Sequence, residues 1–252
     1  GVPATPVRGI LSCMVSHIDI AAIPAEALNI PSDCYVVIDC IRATTTIATL
    51  FARGMESLLV TDDLELARVR AAAEDRLLFG EVGGLPPDDF DYGNSPSAAS
   101  TLALAGTRGV LYTTNGTTAL CVLAGNGSAV IAGALANISA VCRAVKVFGT
   151  VTLVCAGGGG GVRFGLDDFA AAAEFFHVIR RESPDAEPGD LALLASRLED
   201  VDSLVLESHH AGIIRRLGLQ DDLAFCIRRD SSDAVPVVTS HGKGWALLDA
   251  RA

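Results

Sequence analysis

Asp39 and Arg42 are the residues whose type and spacing first indicate chemistry in this chain. They follow the apolar, β-branched run 36–38, and the three threonines 44–46 come next. A carboxylate is a hard oxygen ligand for a cation such as Mg²⁺, and a guanidinium can hold a phosphate through two parallel hydrogen bonds. An aspartate that caps a turn beside a surface arginine gives the same pattern. This stretch alone therefore leaves a metal and phosphate site and a plain turn equally open.

Three further segments place polar residues where an apolar run ends. One is a long loop without helix or strand period, one is a turn rich in hydroxyls and amides, and one joins a glycine run to two aspartates. Their candidate residues are Glu81, Asn94, Ser95, Thr113, Thr114, Asn115, Gly116, Thr117, Asp167 and Asp168. Each segment has an ordinary explanation, such as a helix cap, a flexible turn or acids that favour a helix N-terminus. Four such features at predicted strand ends are less easily explained as independent accidents.

The elements that would position these residues alternate along the chain. Short apolar runs are separated by helical patterns, which predicts a single α/β domain over residues 1–252, with three α/β/α layers and a largely parallel or mixed sheet. If the strands are parallel, all four segments meet at one edge of the sheet, where helix N-termini favour anions. A strand, turn and threonine-rich helix start occur at 36–61 and again at 110–132. This echo leaves open an internal duplication into halves of about 8–105 and 106–240.

The periodicity also makes predictions for individual elements. It predicts a first strand over 8–16, one helix over 204–217, and short terminal strands near 224–227 and 235–238. The segment 81–96 has neither period but contains apolar anchors, so we expect an ordered functional loop there.

The composition excludes some partners. The formal net charge of −11 argues against nucleic acid or an anionic membrane, but it allows an anionic substrate if positive charge is provided locally. No apolar run approaches the roughly 18 residues of a transmembrane helix, and the N-terminus shows no signal-peptide pattern. The seven cysteines lie in apolar runs without a C-x-x-C pair, which favours free thiols in a reducing cytoplasm.

Several catalytic classes lack their residues. The glycine run 157–161 fits neither the dinucleotide-binding spacing nor the P-loop. No C-x₅-R phosphatase loop and no G-x-S-x-G elbow occur in the chain. His209 and His210 are adjacent on a predicted helix and therefore face different ways, and no H-x-x-x-H pair exists, so zinc is disfavoured.

In their order and spacing, the polar segments resemble the 2-phosphosulfolactate phosphatase family, which are Mg²⁺-dependent phosphatases of coenzyme M biosynthesis. The resemblance is carried by Val37-Ile38-Asp39 with Arg42-Ala43-Thr44-Thr45-Thr46, Gly80-Glu81 with Gly84, Phe90-Asp91 with Gly93-Asn94-Ser95-Pro96, Thr113-Thr114-Asn115-Gly116-Thr117, Asn137 and Cys155-Ala156-Gly157. It covers roughly residues 34–170 well and the C-terminal third loosely. The segment 157–169 is richer in glycine than the family pattern. Asp168 carries over more directly than Asp167, because the family more commonly has Glu-Asp at this pair.

The resemblance implies Mg²⁺-dependent hydrolysis of a small anionic phosphomonoester, with (R)-2-phospho-3-sulfolactate as the first candidate and 3-sulfolactate and phosphate as products. Asp39, Glu81 and Asp168 would bind the metal or activate water, and Asp39 is also the candidate for direct attack on phosphorus. The implied substrate-binding residues are Arg42, Thr44, Asn94, Ser95, Thr114, Asn115, Gly116, Thr117 and Asn137. Family members also occur where coenzyme M is not made, so another phosphorylated hydroxy acid stays open as substrate. A non-catalytic anion-binding module and a homo-oligomer also stay open.

Overall fold

The structure is a computed structural model that describes residues 14–251, and this part of the chain forms one sheet of eleven strands with helices on both faces. The strands are β1 (His17–Ala21), β2 (Cys34–Ile38), β3 (Ser57–Thr61), β4 (Leu77–Gly80), β5 (Tyr92–Gly93), β6 (Arg108–Tyr112), β7 (Ala129–Gly133), β8 (Thr150–Cys155), β9 (Glu187–Pro188), β10 (Val235–Gly242) and β11 (Trp245–Arg251). The helices are α1 (Pro24–Ala27), α2 (Ala43–Ala52), α3 (Leu64–Glu74), α4 (Pro96–Ala99), α5 (Gly116–Ala124), α6 (Ile138–Ala144), α7 (Leu166–Glu182), α8 (Asp190–Ala195), α9 (Val201–Glu207), α10 (His209–Arg216) and α11 (Gln220–Cys226), with 3₁₀ turns at Leu135–Asn137 and Val145–Val147. The predicted three-layer α/β/α class with a mixed sheet is confirmed.

Alternate residues of each strand point to opposite faces of the sheet, so one strand contributes to two cores. In β2, Val36 and Ile38 join a cluster that helix α7 covers. Tyr35 and Val37 join the cluster on the other face, beneath α2 and α5. In β3, Leu59 packs into a third and smaller cluster under α3. Burial on both faces explains why these strands are almost continuous apolar runs in the sequence.

The sheet consists of two parallel blocks joined by an antiparallel hairpin. Its strand order is β5-β4-β6-β3-β11-β10-β7-β2-β8-β1-β9. β11 is antiparallel to β3, β10 is antiparallel to β11, and β7 is antiparallel to β10. The block from β5 to β3 therefore runs opposite to the block from β7 to β9. The polar strand ends are predicted to share one edge if the strands are parallel. This condition is not met, because the mixed topology assigns the ends of β2 and β6 to opposite edges.

The ends of β2 and β6 nevertheless come together in space. A Cβ built on Gly116, which begins α5, would lie 2.7 Å from Oδ2 of Asp39, which follows β2. Five strand-to-strand steps separate β6 from β2. At the usual twist per step, they rotate one block against the other by roughly 100–125°. Strand ends at opposite edges of so twisted a sheet can face a common side.

Three predictions for individual elements need correction. The predicted first strand falls partly on residues 8–13, which lie outside the described residues, and the described chain begins its first strand at His17. The predicted single helix over 204–217 is two helices, because Ser208 interrupts it and caps α10 through its hydroxyl. The predicted strand near 224–227 is part of helix α11, whose Leu223 and Cys226 are one turn apart and pack into the core.

The C-terminal hairpin of β10 and β11 is longer than the strand predicted at 235–238, and it occupies the centre of the sheet. The cysteines in the described part of the chain are free thiols. Among the described helices, none is long and apolar enough to cross a membrane. The proposed internal duplication stays a prediction.

Candidate active site

A pocket of about 350 Å³ opens where the ends of β2, β4, β5 and β6 meet the glycine loop 157–165 and the start of α10. Of the candidate residues named from the sequence, seven belong to its wall: Asp39, Arg42, Glu81, Asn94, Thr113, Thr114 and Asn115. This volume is at the small end of the range for ligand pockets, which suits a compact substrate.

Asp39 is almost fully buried, and its carboxylate accepts fewer hydrogen bonds than that of Glu81, the other acid of the pocket wall. Its Oδ1 accepts a hydrogen bond from the Ala43 N–H at 3.0 Å, in the first turn of α2, whereas its Oδ2 accepts none from the described residues. Burial raises the pKa of Asp39 to about 6; the Asp167 and Glu81 carboxylates add to the rise, while the Ala43 N–H and His210 oppose it. A cation beside Oδ2 would favour the ionised form and offset this cost.

Glu81 is held rigidly at the end of β4. Its Oε1 accepts hydrogen bonds from the N–H and the hydroxyl of Thr114, both at 2.9 Å. Its Oε2 accepts one from the Gly84 N–H at 2.7 Å. The carboxylate therefore links the loop after β4 to the loop after β6 and has little freedom to move away from the pocket.

Asn94 carries an oxygen without a hydrogen-bond donor. β5 pairs with β4 in parallel register, Gly93 opposite Gly80, so Asn94 follows β5 beside the position of Glu81. Oδ1 of Asn94 is buried and accepts no hydrogen bond from the described residues. A buried amide oxygen left without a partner is costly, and at a pocket wall it points to a ligand that supplies the missing contact.

Arg42 is bound within the protein rather than free to clamp an anion. Its guanidinium donates to Oδ2 of Asp222 at 2.8 Å and to the Gly84 carbonyl at 2.7 Å, and both charged side chains are almost fully buried. The other oxygen of Asp222 accepts hydrogen bonds from Ser95 and Ser97. The charge of Arg42 is thus balanced by a residue of α11, and Ser95 serves this network instead of the pocket wall.

Arg163 is the cation that the sequence argument missed. It lies on the glycine loop, lines the pocket, is exposed, and forms no ion pair with any residue from 14 to 251. The loop needs glycine at Gly157, where φ is +70° and a Cβ would lie 2.2 Å from the Arg163 carbonyl oxygen. The loop is also held by Asn115, whose Oδ1 accepts a hydrogen bond from the Gly160 N–H at 2.9 Å.

Asp168 holds the glycine loop 157–165 in place and is not part of the pocket wall. Its Oδ1 accepts the Cys40 N–H and its Oδ2 accepts the Gly157 N–H, both at 2.8 Å. Burial, together with the charges of Asp167 and Asp39, raises its pKa well above the usual range. The structure therefore places Asp168 as a support of the backbone after β2 and β8, and not beside a metal in the pocket.

Four other predicted binding residues also lie behind the wall rather than on it. Thr44 hydrogen-bonds the backbone of Asp39, and Thr117 bonds the backbone and hydroxyl of Thr113. Gly116 packs against Asp39. Asn137 is fully buried and uses its amide on the backbone of Ala132, Ala134 and Ala234. These residues stabilise the strand ends and the turns after them and do not line the pocket.

His210 and its partner Asp167 complete the pocket. Nδ1 of His210 is 3.0 Å and 3.1 Å from the two Asp167 oxygens, and the imidazole is part of the pocket wall. The sequence argument used the two adjacent histidines only to disfavour a zinc site. A serine directly before them, at Ser208, is the N-cap signal that could have placed them at a helix start.

Among residues 14–251, no group of three or more His, Cys, Asp and Glu side chains lies close enough to hold a metal ion. The predicted three-carboxylate site is therefore not assembled. Asp39 and Glu81 do share the pocket with the unpartnered oxygen of Asn94. Such hard oxygen donors fit Mg²⁺, which keeps several waters and commonly takes only one or two carboxylates from the protein.

An α/β/α fold, a small pocket with hard oxygen donors and a helix N-terminus at its wall are typical of enzymes that act on small phosphorylated substrates. Comparison with known proteins identifies the family: residues 21–241 match the model of the 2-phosphosulpholactate phosphatases, and the chain belongs to this family. It is accordingly a phosphoric monoester hydrolase.

Relatives cover nearly the whole chain. One from Thermus thermophilus, named a probable 2-phosphosulfolactate phosphatase, is 38% identical over 91% of this chain and 97% of its own length. Relatives of the same name from Deinococcus radiodurans and Gloeobacter violaceus are 38% and 33% identical, over 82% and 83% of this chain and 88% and 90% of their own.

Proposed function

We propose that this phosphatase hydrolyses a small anionic phosphomonoester in a Mg²⁺-dependent reaction, with (R)-2-phospho-3-sulfolactate as the first candidate substrate. The names of the relatives support the substrate, and the free thiols of the described residues support a cytoplasmic location. The observation that carries the proposal is the pair of unpartnered oxygens, Oδ2 of Asp39 and Oδ1 of Asn94, in one pocket with Glu81.

Asp39 and Asn94 would hold the metal, with Glu81 beside them. When bound, Mg²⁺ supplies positive charge to the phosphate oxygens and to the attacking oxygen. The protein's own contribution is preorganisation, because Glu81 is fixed by three donors and Asp39 is fixed by the first turn of α2. Neither side chain has to reorganise when the substrate arrives.

The other anionic groups of the substrate need positive charge in a chain of net charge −11. Arg163 is suited to this role because it is the exposed guanidinium at the pocket wall, whereas Arg42 is already paired with Asp222. The N-terminus of α5 adds the partial positive charge of its first N–H groups, beside Asn115. If the sulfonate or carboxylate group of the substrate binds Arg163, its phosphate group would lie near Asp39 and Glu81.

Phosphate release tests the proposal. The purified chain is incubated with a panel of phosphorylated 2-hydroxy acids, including (R)-2-phospho-3-sulfolactate, with Mg²⁺ or with EDTA. We expect fastest release from the phosphosulfolactate and loss of release in EDTA. Equal release in EDTA would overturn the metal assignment, and faster release from another hydroxy acid would overturn the substrate.

Metal binding has a separate readout. Mg²⁺ should raise the melting temperature of the wild type, and Asn94→Ala should reduce this increase. Asn29→Ala is the matched control, because Asn29 is exposed and bonds only the Ala25 carbonyl of its own helix turn. An undiminished increase in Asn94→Ala would exclude Asn94 from the metal site.

A further inference from the structure

His210 and Asp167 form a hydrogen-bonded pair that the proposed metal and anion contacts do not use. A carboxylate only accepts hydrogen bonds, so the proton between them belongs to Nδ1 of His210. Asp167 is 1% exposed, which means that its two oxygens face the ring and not solvent. Because Nδ1 is hydrogen-bonded to Asp167, Nε2 is the ring nitrogen that can exchange a proton with a substrate.

The local structure fixes the ring and keeps Nε2 accessible. Asp167 lies in the first turn of α7 and His210 in the first turn of α10, whose start is held by the Ser208 hydroxyl on the Ala211 N–H. Nε2 forms no hydrogen bond within residues 14–251. It lies 3.1 Å from the position of a Cβ on Gly158, so a side chain there would cover it.

A phosphomonoester of a hydroxy acid has an alkoxide leaving group, which departs easily only if it is protonated as the bond to phosphorus breaks. We propose that His210 is the general acid of the reaction and gives its Nε2 proton to the leaving oxygen, and that Asp167 is the residue that positions it. The inference requires the phosphatase activity of the family and not the identity of the substrate.

The charges around the ring agree with this role. The hydrogen bond to Asp167 raises the pKa of His210, and burial of the ring opposes the rise. The Asp167 and Asp39 carboxylates add to the rise, and Arg163 on the glycine loop also opposes it. The groups that favour the protonated ring are thus the two buried carboxylates, Asp167 and Asp39.

The step balances without another reactant. The oxygen of water forms a bond to phosphorus, and the bond from phosphorus to the ester oxygen breaks with its electron pair on that oxygen. The leaving oxygen takes the proton from Nε2 and departs as an alcohol. Both hydrogens of the attacking water remain on the dihydrogen phosphate product, and neutral His210 regains its proton from solvent.

Leaving-group dependence tests the proposal, because a merely structural histidine would affect all substrates alike. His210→Gln is compared with the wild type on p-nitrophenyl phosphate, whose leaving group needs no proton, and on the phosphorylated hydroxy acid that the wild type hydrolyses fastest. We expect kcat to fall by about 10²–10³-fold on the alkyl ester. On the aryl ester the loss should be less than about tenfold. His241→Gln is the control, because His241 is exposed on β10 and is not part of the pocket wall.

Asp167→Asn should produce the same selective loss on the alkyl ester, because the amide can hold the ring in the wrong tautomer. A uniform loss on both esters, or a rise in KM without a fall in kcat, would overturn the general-acid role and make His210 an anion contact. If neither ester is hydrolysed by the wild type, the proposed function fails first, so the two failures are distinguishable.

Discussion

Gly116 offers the sharpest test of the site, because a single methyl group at this position would displace the Asp39 carboxylate, to which we assign a role in the reaction. A Cβ on Gly116 would lie 2.7 Å from Oδ2 of Asp39 and 2.6 Å from the Cβ of Ala43, whereas ordinary contacts begin at 3.4 Å. Gly116→Ala therefore requires the Asp39 oxygen to move by about 0.7 Å or helix α5 to move by a similar distance. Glycine at this position is needed for close approach, since its φ is not in the left-handed region.

The expected effect is large on activity and moderate on stability. Misplacement of a reacting group by about 1 Å can cost 10²-fold in rate, so kcat/KM for the phosphomonoester should fall by about 10²-fold. Overpacking should lower the free energy of unfolding by about 1–3 kcal/mol. Phosphate release and urea unfolding measure the two effects, and the Mg²⁺-induced rise in melting temperature should shrink with the activity.

Two further variants separate the causes. Gly125→Ala, at the other end of the same helix, is the control, because the nearest atom to its Cβ would be 4.0 Å away. It should keep the activity. Ala43→Gly in the Gly116→Ala background removes the contact between the helices but not the contact with Asp39, so stability should recover while activity stays low. Wild-type kcat/KM in Gly116→Ala would refute the placement of Asp39 in the reaction.

Three other predictions follow from single contacts. Asp222→Asn leaves the buried Arg42 without its counter-ion and should lower the free energy of unfolding in urea by about 3–5 kcal/mol; a change below about 1 kcal/mol would contradict the structural role of the pair. Asp39→Asn should stabilise the protein in EDTA at pH 7.5 by about 3 kcal/mol, because the folded pKa of about 6 lies above the usual 3.8. The wild type loses this stability as pH rises from about 4 to 6, so equal unfolding curves at pH 7.5 would contradict the raised pKa. Arg163→Gln should raise KM about tenfold for a substrate with a second acidic group and leave p-nitrophenyl phosphate unchanged; an equal rise for both would exclude a contact to that group.

The sequence predicts the parts of the site that are local to a strand end. Asp39 and Glu81 each follow a short apolar run, Asn94 lies in the long loop that is predicted to be functional, and all three are at the pocket wall. The α/β/α class follows from the same alternation. Neither inference needs knowledge of which strands are neighbours, because a strand end and the turn after it are set by adjacent residues.

What the sequence does not reveal depends on contacts between distant segments. Arg42 reads as a free anion clamp until Asp222, 180 positions later in the chain, is seen to pair with it. Asp167 and His210 are 43 positions apart and carry no common motif. The hairpin of β10 and β11 lies between the two parallel blocks of the sheet, so the two blocks run in opposite directions. No local sequence pattern indicates where in the sheet a terminal hairpin will insert.

The neighbouring carboxylates of the site differ in the hydrogen-bond donors that they receive. This difference indicates which of them holds other groups in place and which is available for a cation. Asp168 receives two backbone N–H groups, and Asp167 receives the imidazole of His210. Both therefore have fixed partners inside the protein and act by holding other groups in place. Asp39 has a donor on Oδ1 alone, so its Oδ2 is left without a hydrogen-bond donor, and Asp39 lines a pocket with an unpartnered Asn94 oxygen. A cation should accordingly bind at Asp39 and not at Asp167 or Asp168, because Asp39 is the one of these three acids that combines an oxygen without a donor with a place at the pocket wall.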